Sequence, residues 1–166
     1  MPFSLLPTVM VRELTQLTPE FLSSRKIRLL MLDFDNTIIP YTTNTPTAEM
    51  DAWLKKMAAS DIALCVVSNS KSGRVPAFCA NYGIDFILRA RKPSSRGIRR
   101  CMDKYGVPFS ACALAGDQIF TDTLGANCAG LTSILVKPID NHNIWLKLRH
   151  VAEKPFIILA RKRRLQ

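Results

Sequence analysis

Short apolar runs alternate with amphipathic segments along most of this chain. Five runs are predicted to be strands, at 27–33, 62–67, 85–88, 112–115 and 132–136. The apolar run of the first covers only about six residues. A run of that length suits a strand of a parallel sheet, buried on both faces, better than it suits a helix.

Helical periodicity fills the intervals between these runs. The first helix is expected to begin near 45–46, where a proline suits the first turn, and its apolar stripe is Met50, Trp53, Leu54, Met57 and Ala58. Three later helices are predicted to end at glycines, namely Gly83, Gly106 and Gly130. Strands that alternate with helices predict right-handed crossovers and a doubly wound parallel α/β sheet.

The first predicted strand stops at a pair of acids, Asp33 and Asp35. Because side chains alternate along a strand, both carboxylates leave on one side and Phe34 on the other. Carboxylates that are this close repel each other unless they share a proton or a cation, and hard cations such as Mg²⁺ prefer oxygen ligands. Asp33 is then a candidate nucleophile and Asp35 a candidate proton shuttle. An isolated pair of this kind also fits an acidic turn at a solvated strand end.

Further polar residues follow the other predicted strands. Ser68 and Asn69 end the second strand, Lys92 precedes a helix that opens at 94–95, and Asp117 ends the fourth strand, with Asp122 five residues on. A parallel sheet gathers such residues at the carboxyl ends of its strands. Plainer roles stay open: Ser68 and Asp117 as helix caps, and Lys92 as a solvated charge in a basic run.

Four ordered segments resemble the motifs of the haloacid dehalogenase (HAD) phosphatase superfamily. They are D-F-D-N-T at 33–37, V-S-N-S at 67–70, R-K-P at 91–93 and G-D-Q-I-F-T-D at 116–122. The similarity is greater to subfamily IIIA and the YqeG-like phosphatases, which are related to phosphatidylglycerophosphate phosphatases, and it runs from about 17 to about 139. It implies a five-stranded sheet of order 3-2-1-4-5, with the Asp33 strand in the centre.

The resemblance also implies a division of roles. Asp33 attacks phosphorus and forms an aspartyl-phosphate, while Asp35 protonates the leaving group and later deprotonates water. Mg²⁺ is expected between Asp33, the backbone carbonyl of Asp35 and Asp117, with Asp122 as an outer or water-mediated ligand. Around the phosphoryl group, the expected contacts are Ser68, Asn69, Lys92 and the amides of the turn that includes Phe34, Asn36 and Thr37.

Spacing leaves no room for a cap domain. Only a loop, one helix and one strand separate Asp35 from Ser68, and one helix and one strand separate Ser68 from Lys92. An open site would admit a bulky substrate, unless a neighbouring subunit of an oligomer supplies a lid.

Composition fits one main domain and a distinct C-terminal end. The 166 residues are 48% hydrophobic, enough for a single core, which we place at 1–140 with 1–24 as a lead-in segment; 141–166 form a basic tail or helix. Five cysteines without a C-x-x-C pair predict reduced, structural thiols. The N-terminus does not resemble a signal peptide, and no apolar run approaches the roughly 20 residues of a membrane span. We expect a cytoplasmic protein, with peripheral attachment to the inner face of the membrane as an option.

The net charge of +10 is concentrated at the C-terminus, where residues 145–166 contain seven Lys or Arg and one Glu. Pro155 is predicted to start a short helix with apolar residues at 156–159 and a basic cluster at 161–164, a pattern typical of membrane surfaces. The apolar N-terminal residues are predicted to dock beside it: Phe3, Leu5, Leu6, Val9 and Met10. Nucleic acid would use the same charges, and many basic tails have no specific role.

Three functional hypotheses follow. The first is a Mg²⁺-dependent phosphomonoesterase, whose substrate the resemblance suggests is phosphatidylglycerophosphate or a similar anionic lipid phosphate. The second is a HAD phosphatase for a soluble sugar phosphate or nucleotide, with a lid built by an oligomer. The third is a non-catalytic phosphoacceptor or binding module similar to response-regulator receivers. Asp35 argues against the third, because receivers lack an acid two residues beyond the phosphorylated aspartate.

Overall fold

The structure is a computed structural model that describes residues 4–140 and 144–163, with side chains at 4–140 and 151–161. Phe3 and Arg164, which belong to the predicted terminal segments, lie outside the described residues, as do 141–143.

A single parallel sheet of six strands forms the centre of the molecule. The strands are β1 (Val9–Val11), β2 (Leu29–Leu32), β3 (Ala63–Val67), β4 (Asp85–Ile87), β5 (Cys112–Gly116) and β6 (Thr132–Val136), in the order β1-β6-β5-β2-β3-β4. Without β1 this is the expected order 3-2-1-4-5, with β2 between β3 and β5. All four residues of β2 are buried, which explains its continuous apolar run.

Strand β1 adds a sixth strand to the five-stranded sheet that the sequence predicts. Val9 pairs with Ile134 and Val11 with Val136 in a parallel ladder at the sheet edge. Val9 and Met10 are therefore part of the sheet, where we had expected them to dock beside the C-terminal tail. The pairing of β1 with β6, which lies far away in the chain, is a tertiary contact that the local sequence pattern does not contain.

Helices cover both faces of the sheet. They are α1 (Pro19–Ser23), α2 (Ala48–Ala58), α3 (Arg74–Tyr82), α4 (Ser95–Tyr105), α5 (Leu124–Ala129) and α6 (Ile144–Arg163), with a π-helical turn at Ile119–Thr123 before α5. Helix α2 begins two residues later than predicted because the Thr47 hydroxyl accepts a hydrogen bond from the Met50 N–H and caps it. The predicted ends of α3, α4 and α5 at glycines are correct.

Two apolar layers hold the helices on the sheet. One packs the side of α2 and α3, with Trp53, Leu54 and Phe78 among its buried members. The other packs the side of α4 and α5 around Ile98 and Ala126. This sandwich leaves the carboxyl ends of the parallel strands as the edge at which polar side chains converge.

Helix α6 differs from the short helix that Pro155 was predicted to start. It runs continuously from Ile144 to Arg163 with Pro155 inside it. Pro155 and Val151, whose carbonyl loses its helical donor, both lie on the exposed side of the helix. Water can hydrate that carbonyl, so the break that proline usually causes is tolerated.

Between Asp35 and Lys92, a fully described stretch, the chain contains α2, β3, α3 and β4 and no inserted domain. Among the described helices, none combines the length and hydrophobicity that crossing a bilayer requires.

Candidate active site

Asp33 lies directly beyond β2, in the middle of the sheet edge. Its N–H donates to the Ala115 carbonyl at 2.8 Å, which extends the pairing with β5 past the last strand residue. The residue is only 6% exposed. The Asp33 carboxylate is therefore buried at the carboxyl end of a central strand.

Two further carboxylates come from the neighbouring strand end. Asp117 follows β5 directly, and Asp122 lies in the π-helical turn, where its Oδ2 accepts the Gln118 N–H at 3.1 Å. One carboxylate oxygen from each of Asp33, Asp117 and Asp122 lies within 4.8 Å of the others, and all three residues are buried. The predicted convergence of the first and fourth motifs is therefore present.

Gly116 makes this packing possible. A Cβ atom at this position would lie 2.3 Å from Cγ and Oδ2 of Asp122. Since that distance is far below van der Waals contact, only a glycine lets the Asp122 carboxylate fold back over the end of β5.

Lys92 joins two of the three carboxylates. Its Nζ lies 2.6 Å from Asp33 Oδ1 and 2.7 Å from Asp122 Oδ1, and its side chain is 1% exposed. Burial alone would lower the pKa of Lys92, but Asp122 and Asp33 outweigh it and raise the pKa above its ordinary value. The alternative of a solvated surface lysine is therefore wrong, and Lys92 is a fixed buried cation.

The cluster fits a divalent cation. Three buried carboxylates and one lysine leave a formal charge of about −2 in a site with little solvent, which is unfavourable unless a further cation balances it. Burial, with a further contribution from Asp33, raises the pKa of Asp122 above its ordinary value, although Lys92 opposes the shift. An all-oxygen donor set suits a hard ion such as Mg²⁺.

Asp117 is held by the turn that follows Asp33. Asn36 Nδ2 lies 3.4 Å from one Asp117 oxygen, and the Thr37 hydroxyl lies 3.5 Å from the other. Asn36 has φ +65°, a left-handed conformation that asparagine tolerates. Its amide side chain also exchanges two hydrogen bonds of 2.8 Å with the backbone of Asp140.

The backbone N–H groups of this turn are partly used within it. The Asn36 N–H donates to the Ile39 carbonyl at 2.7 Å, and the Thr37 N–H donates to the Phe34 carbonyl at 3.4 Å. Phe34 turns its ring into the core, 5.2 Å from the Phe78 ring. The Phe34 side chain therefore lies in the core, as the predicted alternation requires, and the Asn36 and Thr37 side chains contact Asp117.

Ser68 and Asn69 lie at the end of β3. The Ser68 hydroxyl is buried and accepts the Ser70 N–H at 3.0 Å. Helix α3 begins only after Gly73, so the alternative of Ser68 as a helix cap is wrong. The Asn69 amide brackets the Lys92 backbone, accepting its N–H at 2.7 Å and donating to its carbonyl at 2.9 Å. Asn69 thus places Lys92, while its own side-chain groups are engaged.

Asp35 lies apart from the three-carboxylate cluster and is paired with Arg74. Arg74 Nη1 lies 2.9 Å from Asp35 Oδ1, and Asp35 is about half-buried. Burial raises the pKa of Asp35 above its ordinary value in spite of Arg74, and the Asp33 charge adds to the shift. Asp35 therefore holds a proton to higher pH than a solvated aspartate would.

Sequence reasoning missed Arg74 and Glu153. Arg74 is the first residue of α3, where a cation is unfavourable beside the helix dipole, and that is the only local sign of a special role. Glu153 of α6 is 2% exposed, and its Oε1 accepts the N–H groups of Ile119 and Phe120 at 2.8 and 3.4 Å. It was the single acid of a basic tail, with no motif around it.

Fold and site together define a phosphatase of the HAD class. Residues 89–143 match the HAD-hydrolase-like family model, and residues 1–81 match the model of the mitochondrial PGP phosphatases. The chain is 31% identical to the probable phosphatase YqeG of Bacillus subtilis (strain 168), across 97% of this chain and 95% of that protein. The chain belongs to the family of HAD phosphatases that includes YqeG.

Other similarities are more distant. The chain is 29% identical to the chloroplastic and mitochondrial phosphatidylglycerophosphate phosphatase 1 of Arabidopsis thaliana, across 92% of this chain but only 44% of that protein. Its fold resembles the cobalt-bound deoxy-D-mannose-octulosonate 8-phosphate phosphatase of Haemophilus influenzae, with a TM-score of 0.56 and 20% identity over 75% of each chain. The corresponding Moraxella catarrhalis enzyme, in complex with magnesium, phosphate and KDO, gives 0.50 and 19% identity over 79% of this chain and 88% of that one.

Proposed function

We propose that this HAD phosphatase hydrolyses phosphomonoesters through Asp33. A carboxylate oxygen of Asp33 attacks phosphorus, the bond to the leaving alkoxide breaks, and an aspartyl-phosphate forms. Asp35 gives its proton to the leaving oxygen and then takes one from the water that hydrolyses the intermediate, which releases phosphate and restores Asp33. The observation that supports this proposal best is the meeting of Asp33, Lys92, Asp117 and Asp122 at one buried sheet edge.

A divalent cation, proposed to be Mg²⁺, would be held by Asp33 and Asp117, with Asp122 beside them, and would neutralise charge on the phosphoryl group. Both Asp122 oxygens already contact the protein, one at Lys92 Nζ and the other at the Gln118 N–H. This favours an indirect role for Asp122 in cation binding, as an outer or water-mediated ligand. Asp35 is proposed to contribute only its backbone carbonyl, because its carboxylate pairs with Arg74. Lys92 offsets negative charge on Asp33 and on the transferring group.

The remaining predicted residues take proposed supporting roles. Ser68 lies buried at the end of the strand beside Asp33 and is proposed to contact a phosphoryl oxygen, while Asn69 fixes Lys92. Asn36 and Thr37 hold Asp117 rather than substrate. The backbone amides nearest Asp33, from Phe34 on, are the proposed donors to the oxyanion.

The proposed substrate is phosphatidylglycerophosphate or a similar anionic lipid phosphate. It is supported by the match of residues 1–81 to the PGP phosphatase model and by the Arabidopsis relative. An edge without an inserted cap is compatible with a substrate anchored in a bilayer. A soluble sugar phosphate, which the octulosonate phosphatases favour by fold alone, is the second candidate, with the lid then coming from an oligomer.

Helix α6 offers a surface for such a bilayer. Val151, Ile158 and Leu159 are exposed on the side opposite Glu153, with Lys154 and Arg161 also exposed. Apolar side chains bordered by cations suit an anionic lipid surface. This contact belongs to the lipid-substrate proposal and is tested with it.

The test is a phosphatase assay with phosphatidylglycerophosphate in anionic vesicles and a panel of soluble phosphates, each with Mg²⁺ or with a chelator. We expect lipid hydrolysis that requires the cation and falls by at least roughly 10³-fold in Asp33→Asn. We also expect it to weaken in Ile158→Asp on vesicles but not on soluble phosphates. Activity on soluble phosphates alone would favour the second candidate. Stable phosphorylation without turnover would favour a phosphoacceptor.

A further inference from the structure

Arg74 makes more side-chain contacts than any function described so far requires. Its Nη1 donates to Asp35 Oδ1 at 2.9 Å, and its Nε donates to Asn44 Oδ1 at 2.7 Å. Its Nη2 donates to the backbone carbonyls of Pro40, at 3.1 Å, and Thr43. All four hydrogen bonds use the planar guanidinium group, whose fork of donors only arginine provides.

These contacts join three segments of the chain. Arg74 belongs to α3, Asp35 to the turn after β2, and Pro40 to Asn44 to the loop before α2. The loop is otherwise exposed at 41–45. The guanidinium also lies 5.6 Å from the centre of the Phe34 ring, which is fixed in the core. Arg74 therefore connects an exposed loop to the turn that holds Asp35.

Only one oxygen of Asp35 takes part. Oδ1 accepts from Arg74, which restricts the orientation of the carboxyl group and leaves Oδ2 to carry a proton. In the three-carboxylate cluster, Lys92 pairs instead with Asp33 and Asp122, and Asn36 and Thr37 contact Asp117. Two separate cations thus serve two separate groups of acids, and a change at Arg74 acts on Asp35 without removing a partner of the three-carboxylate cluster.

We propose that Arg74 is a positioning residue for proton transfer: it orients the Asp35 carboxyl towards the leaving oxygen and fixes the Pro40–Asn44 loop beside it. This inference rests on the proposed function of Asp33 and Asp35. Its consequence is selective. Arg74 matters for breaking the bond to a leaving group that needs a proton, and little for a leaving group that departs as a stable anion.

The experiment compares kcat/KM for phenyl phosphate and 4-nitrophenyl phosphate, two aryl esters of similar size. The 4-nitrophenolate leaves without protonation, whereas phenolate benefits from an acid. Since kcat/KM covers steps up to formation of the phosphoenzyme, later hydrolysis does not obscure the difference. For Arg74→Ala we expect a loss of roughly 100-fold on phenyl phosphate and less than about tenfold on 4-nitrophenyl phosphate.

Two further variants guard against a folding defect. Arg74→Lys keeps the charge but not the fork, and we expect a smaller loss with the same preference for 4-nitrophenyl phosphate. In the double variant Arg74→Ala/Asp35→Asn, the loss on phenyl phosphate should not exceed that of Asp35→Asn alone, because both changes remove one function. Additive losses would indicate a merely structural role.

Arg25→Ala is the matched control. Arg25 also stacks on a phenylalanine, Phe21, with its Cζ 3.9 Å from the ring centre, and donates to a backbone carbonyl. Unlike Arg74, it precedes β2 and therefore lies towards the amino ends of the strands, away from the site. It should leave both substrates unaffected. Equal losses on the two esters in Arg74→Ala, or no loss, would overturn the proposal for Arg74. Absence of activity in the unmodified protein on both esters and on the whole phosphate panel would instead refute the proposed function.

Discussion

Lys92 shows how a residue with an ordinary sequence context acquires a defined role. In the sequence it stands in a basic run with Arg89 and Arg91, where a lysine is usually solvated. In the structure it is buried between two carboxylates, because the Asn69 amide fixes its backbone from both sides. The local sequence around Lys92 contains no information about these hydrogen bonds to Asn69. Only the order of the four motifs suggested that Lys92 belongs to the site.

Asp33, Asp35, Asp117 and Asp122 were predictable because each is tied to the end of a strand or the turn after it. Parallel strands bring such positions together whatever the loops do. Arg74 was not predictable in the same way. Its partners lie 30 to 39 residues away in the chain, and its contacts depend on the path of a loop that has no periodic pattern.

Gly116 offers a direct test of the carboxylate cluster at the residue scale. Gly116→Ala places a methyl group against the Asp122 carboxylate and should move it away from Lys92. We expect a loss of about 1–3 kcal/mol in the free energy of unfolding and weaker Mg²⁺ binding, measured by thermal unfolding with and without the cation and by calorimetric titration.

Gly73→Ala is the control for that change. A Cβ atom at Gly73 would meet nothing within 4 Å, and the backbone φ of −65° suits alanine. Its stability should stay within about 1 kcal/mol of the unmodified protein. If Gly116→Ala bound Mg²⁺ as well as Gly73→Ala does, Asp122 would have no part in the cation site.

At the scale of elements, helix α6 is the largest departure from the sequence prediction. The pattern suggested a separate basic tail with a short helix, since charge and a proline dominate this region. A single buried acid changes that picture: Glu153 accepts two N–H groups at the start of the π-helical turn, and the Phe156 ring meets the Phe120 ring edge to face at 6.0 Å. The helix is thereby attached beside the turn that holds Asp122.

Glu153→Ala should loosen this attachment, because it leaves the buried N–H of Ile119 and the partly buried N–H of Phe120 without their acceptor. We expect a loss of about 1–3 kcal/mol in stability and faster hydrogen exchange in α6 and at 119–123, followed by mass spectrometry. Lys154→Ala, one residue along and exposed, should change neither. Unchanged exchange in Glu153→Ala would show that α6 is held by other contacts.

At the scale of the whole molecule, alternation of short apolar runs with amphipathic segments was enough to predict a doubly wound parallel sheet. The order of the five predicted strands, β2 to β6, followed from the family resemblance and agrees with the structure. The sixth strand was missed because edge pairing of three residues depends on a neighbour, β6, that lies far away in the chain. Sequence periodicity was therefore enough to predict the architecture, whereas the edge strand β1 depends on a tertiary contact that periodicity does not reveal.

The site is built on strand ends, and the described stretch between Asp35 and Lys92 contains no inserted cap. Chemistry is therefore proposed to depend on the strand ends themselves, with two neighbouring elements beside them: the Pro40–Asn44 loop, connected to Asp35 through Arg74, and α6, connected to the π-helical turn through Glu153. Substrate selection would then come from these two elements, of which α6 does not contribute a residue proposed for the chemistry.

The central claim is that phosphate passes through Asp33 and that this needs a divalent cation. The most direct measurement uses Asp35→Asn, in which hydrolysis of the intermediate should be slow, with 4-nitrophenyl phosphate as an activated substrate. After an acid quench and borohydride reduction, mass spectrometry should find homoserine at position 33 when Mg²⁺ is present, and only aspartate when a chelator replaces it. Turnover of the substrate with position 33 unmodified, or modification that is equal without the cation, would contradict the account.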